Sequence, residues 1–193
     1  INGGNFELGL ADMQYELEGY YSMPTTISGK SKGTLTVALG SEANNTLFAV
    51  DKISGFGTVN VYNETFDDAI VANQVESVGI VTKGVSGVGM LNVYPGATLV
   101  SDGGSVSVKN ANVCGGTVMA KDITVSQIAT LESAILMASS QAAKDGKLKL
   151  KDIIVKDTYN YLSAEQDKNG KTQINISGTV SAGEYYMGIS GES

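Results

Sequence analysis

The side chains able to do chemistry in this sequence are carboxylates, lysines, tyrosines and a single thiol; histidine, arginine and tryptophan do not occur. Without histidine no Ser-His-Asp arrangement can form, which leaves only a Ser-Lys variant for nucleophilic serine chemistry. Metal sites built on His or Cys clusters are excluded for the same reason. Cys114 is the lone cysteine, so no intrachain disulfide exists. Between Val113 and Gly115-Gly116, and with no imidazole to serve as its base, it reads as a small buried hydrophobe. Glycoside hydrolysis would require two carboxyls about 5 to 9.5 Å apart across a cleft. The candidates are Asp67-Asp68, Asp102, Asp122 and Asp152.

Asp67 and Asp68 are sequence neighbours and would point to opposite faces of a strand. In a loop, Asn63-Glu64-Thr65-Phe66-Asp67-Asp68 could chelate calcium through carboxylates and carbonyls, although neither an EF-hand spacing nor a Gly-Asp repeat series supports it. Calcium is therefore the only cofactor the residues leave open. Asp122 and Asp152 each follow a lysine at a corner, a place where Asp and Asn commonly accept backbone N–H bonds. Tyr159 and Tyr161 lie two residues apart and would share one face of a strand, as a sugar-stacking strip or as ordinary β-formers. Sequons occur at Asn44, Asn63 and Asn175. Neither a GxGxxG after a strand nor a Walker A motif is present, so nucleotide binding has no support.

The elements that must position these groups are short strands. One phrase recurs as Val106-Ser-Val108-Lys109-Asn110-Ala-Asn-Val113, Val118-Met-Ala120-Lys121-Asp122-Ile123-Thr-Val125 and Leu148-Lys-Leu150-Lys151-Asp152-Ile153-Ile-Val155. Each copy is an alternating strand, a Lys-Asp or Lys-Asn corner, then a second strand. Chains that repeat strand, corner and strand at this scale wind into stacked coils. A second motif, glycine followed by an alternating strand, starts at Gly33, Gly57, Gly89, Gly104, Gly146 and Gly170. Its intervals are irregular, which fits coils of variable loop length with at least one copy missing between Gly104 and Gly146. Hairpin signals are sparse; Asn169-Gly170 is the clearest and should close a local turn near the C-terminal end. Near 128–144, Ile128, Leu131, Ile135 and Leu136 sit at helical spacing, so one short helix is one reading. Two strands, Thr130–Ser133 and Ile135–Ala138, are the other, and the corner phrases on both sides favour them.

Composition agrees with many short strands: 24 glycines, 2 prolines and 7% aromatics in 193 residues. The net charge of -7, from 13 lysines against 20 acids, argues against a nucleic-acid reader. No apolar run is long enough to span a bilayer, so no membrane insertion is expected. The sequence opens Ile1-Asn2-Gly3-Gly4, without an initiator Met or a signal-peptide pattern, as expected of a processed product or an excised piece.

With the Lys-Asp corners, Asn160-Tyr161-Leu162-Ser163-Ala164 and the run from Gly170 to Val180, the chain resembles the β-helical regions of very large surface proteins of gut Firmicutes, described as adhesins. It is similar in texture to pectate-lyase-like right-handed β-helices. The resemblance covers roughly Gly33 to Val180 and rests on repeat texture. It implies an all-β, right-handed parallel β-helix: an N-terminal strand segment or cap over 1–30, then a solenoid over 31–193. It further implies a non-catalytic structural or adhesive segment of a bacterial protein, extracellular or at the cell surface. Its partners would be a host or polysaccharide surface, with self-association through the solenoid ends. The alternative is a carbohydrate-active β-helix; lyases of the pectate type use an arginine base, which this chain lacks.

Overall fold

The computed structural model describes residues 4–9, 26–39, 47–63, 77–81, 83–139, 146–157 and 159–183. They form an all-β structure in which one sheet joins fifteen strands, and no helix occurs among the described residues. Every pairing between named strands is parallel. Parallel neighbours need crossover connections, so the chain must travel away and return before each new strand can dock.

The register resolves these returns into three pairing columns. The first runs through β2 (Thr26–Ser28), β5 (Lys52–Ser54), the start of β8 (Gly84–Val93), the middle of β9 (Ala97–Cys114), the middle of β10 (Thr117–Glu132), the start of β12 (Lys147–Val155) and β14 (Ile174–Ile176). The second runs through β1 (Gly4–Gly9), β3 (Gly33–Leu39), β6 (Thr58–Asn63), the ends of β8, β9, β10 and β12, and β15 (Val180–Ser181). The third joins β4 (Leu47–Val50), β7 (Ser77–Val81), the starts of β9 and β10, β11 (Ile135–Ala138) and β13 (Tyr161–Ala164). From Thr26 onward the chain visits first, second and third columns in that order each time it returns. The long strands β9 and β10 are therefore bent, each contributing to all three columns.

Alternation explains why these residues make strands. In β12 the side chains of Leu148, Leu150, Ile153 and Val155 are buried while Lys147, Lys149 and Ile154 are exposed, the period of two that a half-buried strand requires. Inward residues stack on their counterparts one layer away: Val59 on Leu91, Leu91 on Ala111 and Ala111 on Ala129. The result is a single apolar core running through the layers, with Phe56 its largest fully buried side chain. Backbones approach closely at the corners. A Cβ on Gly146 would collide with the Ala138 carbonyl and come within 2.8 Å of the Lys121 oxygen, so this strand start is open only to glycine.

The helix near 128–144 does not form where the chain is described. Residues 128–132 belong to β10, where Ala129 and Leu131 pair with Ala111 and Val113 on one side and with Ile153 and Val155 on the other. Ile135–Ala138 is β11, and residues 140–145 lie outside the described residues. The helical spacing arose because Leu131 and Leu136 point inward while Ile128 is 41% exposed, with a corner at Ser133-Ala134 between the two strands. Ser133 takes φ 47° there.

The glycine motif also resolves. Gly33 and Gly89 lie in second-column strands and Gly57 directly precedes one, whereas Gly104 and Gly146 immediately precede first-column segments. The wide gap between Gly104 and Gly146 holds one further first-column pass, Asp122–Val125, which starts after Lys121 and has no glycine. At the C-terminal end, Gly170 (φ 75°) closes a turn through Gly170 N–H to the Asp167 carbonyl, and Gln166 and Thr172 make an antiparallel bridge.

Candidate functional site

The corner residues are where polar side chains meet the backbone of the next layer. Asn110 stands at the start of a second-column segment and reaches both ways. Its Nδ2 donates to the Gly89 carbonyl (3.3 Å) in the preceding layer and to Gln127 Oε1 (3.2 Å) in the following one. Its Oδ1 accepts from the Ile128 N–H (3.2 Å). Ile128 in turn pairs with Asp152, so Asn110 and Asp152 occupy one corner two layers apart. Asp152 Oδ1 accepts from the Thr179 N–H (2.9 Å), repeating the Asn110 bond two layers further along. Glycine at 178 makes room for that carboxylate, because a Cβ there would strike Asp152 Oδ1.

Asp122 lies at a different corner. It pairs with Ser105 and Lys147 at the start of the first column; its Oδ1 accepts from the Lys147 N–H (3.1 Å) and its Oδ2 from the Ser105 hydroxyl (3.4 Å). Asp122 and Asp152 are consequently on separate columns and do not stack. Both carboxylates are engaged by main-chain amides, the role Asp and Asn take in turns. Of the lysines at these corners, Lys109 and Lys151 are exposed and Lys121 is half-buried.

A third corner was not visible in the sequence. Asp157 accepts hydrogen bonds from the Ser133 hydroxyl and from the Tyr159 N–H (3.3 Å). Asn160, 5% exposed, donates Nδ2 to Asp157 Oδ1 (2.8 Å) and to the Asp157 carbonyl (2.9 Å), while its Oδ1 accepts from the buried Ala134 N–H (3.0 Å). Partial desolvation pushes the Asp157 carboxyl up, but donors from Ser133, Tyr159 and Asn160 outweigh it and hold the group below the usual carboxylate range. Asp167 is likewise held low, by the Lys171 and Asn169 amides across its turn. Ser133 and Asp157 are 24 residues apart, and Ala134 and Asn160 26 apart. No repeated phrase links them, so nothing in the repeat pattern points to the network.

Along the outward side of the second column runs a polar file: Thr36 pairs with Asn60, Asn60 with Asn92, and Asn92 with Asn112. Asn92 Nδ2 donates to Asn60 Oδ1 (2.8 Å), and Asn60 Nδ2 to Thr36 Oγ1 (3.4 Å). Such amide ladders form where identical or similar side chains repeat in register.

The remaining candidates scatter. Tyr159 is 79% exposed beside the Asp157 corner, while Tyr161 is half-buried at the start of β13, paired with Ile135. Asp67 and Asp68 lie outside the described residues, and Asp102 lies in β9 with its side chain outside them. Asn63 is buried and donates toward the Gly96 carbonyl (3.5 Å), so its sequon offers no acceptor to a glycosyl transfer. Asn175 is exposed in β14, and Asn44 lies outside the described residues. Cys114 is half-buried opposite Glu132; burial and that neighbouring carboxylate push its thiol up, away from the thiolate a nucleophile needs. Among the described residues no group of three or more His, Cys, Asp or Glu side chains is placed to hold a metal ion. Among the described residues no helix is long and apolar enough to cross a membrane, which says nothing of strands.

Compared with protein families, with curated proteins and with solved structures, the chain matches none.

Proposed function

We propose that the three columns are the sides of a right-handed parallel β-helix, and that the chain is a non-catalytic structural or adhesive segment of a bacterial protein, secreted or at the cell surface. The observation that carries this reading is the in-register return of the chain through three parallel columns in fixed order. A chain that keeps that order while stacking layers about 4.8 Å apart grows into a rod with flat sides. The polar side chains at the corners and along the second column support the same role. Asn110, Asp122, Asp152, Asp157 and Asn160 hold corners together through hydrogen bonds to neighbouring layers, and Asn60 and Asn92 bond to each other along the rod. Right-handedness follows the strong preference of parallel crossover connections.

Strands β14 and β15 pair only with β12. Their outer sides are unpaired among the named strands, and end-to-end association of copies would use them.

A crystal structure together with a polysaccharide-cleavage assay tests the reading. Three parallel columns wound in the right-handed sense and no release of reducing or unsaturated sugar ends are expected. Left-handed winding, or antiparallel pairing between the columns' strands, would refute the right-handed parallel β-helix, and cleavage of any polysaccharide would replace the non-catalytic role with a carbohydrate-active one.

A further inference from the structure

We propose that the outward face of β12, carrying Lys147, Lys149 and Lys151, is a docking surface for a linear anionic polysaccharide. This rests on the adhesive part of the reading above and names the class of surface that would be bound. All three lysines are exposed. Lys147 and Lys149 share one face of the strand, about 6.6 Å apart at two residues' rise, and Lys151 stands at the corner roughly as far again. Lys109, exposed beside Asn110, occupies the equivalent corner two layers back, about 10 Å from Lys151 at the usual strand spacing.

A row of lysines on a strand has an ordinary explanation, the protection of a sheet edge from unwanted pairing. That explanation fails here because β12 is an interior strand, paired with β10 on one side and with β14 and β15 on the other. Internal ion pairing does not account for the row either: none of the three lysines bridges a described carboxylate. Asp122, which pairs with Lys147, and Asp152, next to Lys151, are turned to the Lys147 and Thr179 amides. Like charges along one face repel weakly, and an external anion would relieve that repulsion.

The floor around the row indicates the kind of anion. Lys149 pairs with Thr124 on one side and with the exposed Asn175 on the other, and Ser107 lies beyond Thr124. These uncharged donors and acceptors suit sugar hydroxyls. The surface is the flat side of a sheet with point charges spread over about 13 Å from Lys147 to Lys151. A compact anion such as phosphate could engage one or two neighbouring lysines, whereas an extended chain with a carboxylate on successive sugars could meet all three. The overall charge of -7 keeps the attraction local and makes it sensitive to salt.

Affinity electrophoresis of the full chain through polygalacturonate, with neutral dextran as the blank, tests the assignment. Retardation by polygalacturonate alone is expected at low ionic strength, fading as salt is raised. The triple variant K147Q/K149Q/K151Q should bind at least tenfold more weakly with an unchanged far-UV circular dichroism spectrum. The triple lysine-to-arginine variant should retain binding, as should K30Q/K32Q, which removes two exposed lysines elsewhere. Absence of retardation in the unmodified chain, or an unaltered K147Q/K149Q/K151Q variant, would overturn the proposal. Equal or tighter binding to single-stranded DNA would overturn the polysaccharide assignment. A rod that shows no retardation refutes this inference alone, while cleavage of the polygalacturonate refutes the non-catalytic role.

Discussion

Replacing Asn160 with alanine isolates what a single corner contributes. The substitution removes the acceptor of the Ala134 N–H, which lies at a residue fully excluded from solvent, and both donations to Asp157. An orphaned buried amide costs about 1–3 kcal/mol, and a lost bond to a charged group about 1.5–3 kcal/mol. Allowing for water entering the vacated space, Asn160→Ala should destabilise the protein by about 3 kcal/mol. The loss should be local first, because layered structures open in segments. The assay is urea unfolding followed by far-UV circular dichroism, combined with native-state hydrogen exchange. Amides of β11 and β13 should lose protection while those of β6 and β8 keep theirs. Asn160→Asp provides the internal control. It retains an acceptor for Ala134 but sets a second carboxylate against Asp157, so its penalty should shrink on acidification by more than that of the alanine variant, which eases only by the part of the Asn160–Asp157 bond that depends on the Asp157 charge. A shift below about 0.5 kcal/mol in Asn160→Ala, the range of neutral surface changes, or unchanged exchange at residues 134–138, would refute this account of the corner.

Two further outcomes follow from the same contacts. Asp157 is held below the ordinary carboxylate value of about 3.9, so its contribution is fully present above that pH and is lost as pH falls through the depressed folded value. Unfolding measured at neutral and strongly acid pH should therefore show Asp157→Asn less stable than the unmodified chain at neutrality, with the gap closing in acid; a constant gap would contradict the assignment. Gly146→Ala should destabilise by roughly 1–3 kcal/mol in a thermal melt, because its methyl has only the Ala138 and Lys121 carbonyls to displace; a neutral effect would mean that the layers part there easily.

Much of this architecture was legible in the sequence because it is written in period two. Val106 and Val108, or Leu148 and Leu150, alternate with polar residues, and each pair is buried as that alternation requires. What the pattern could not convey was which column a strand belonged to. The copies of the repeated phrase at 106–113 and 148–155 run from the first column to the second, but the copy at 118–125 runs from the third to the first. All columns share the same inward demand for aliphatic side chains, so similar phrases arise at different corners. For the same reason the apparent equivalence of Asp122 and Asp152 was one of chemistry and not of place. The helical spacing at 128–136 had a related origin: two alternating strands offset by the Ser133-Ala134 corner imitate a period near 3.6 over one stretch. The Ser133–Asp157–Asn160 network lay beyond pattern altogether, since its members have no counterparts in other layers from which to be recognised.

The distance along the chain from one layer to the next is not constant. It is 17 residues from Ser105 to Asp122, 25 from Asp122 to Lys147, and 32 from Asn60 to Asn92, yet the strands stay aligned across all three steps. Alignment is thus fixed by what lies directly above and below, and the connecting segments are free to vary in length. For a gene encoding such a chain, insertions and deletions between strands become a permissive form of variation. A segment can be lengthened, decorated or replaced at one level without disturbing the levels beyond it, so the protein can present new loops to its surroundings while its frame is inherited unchanged.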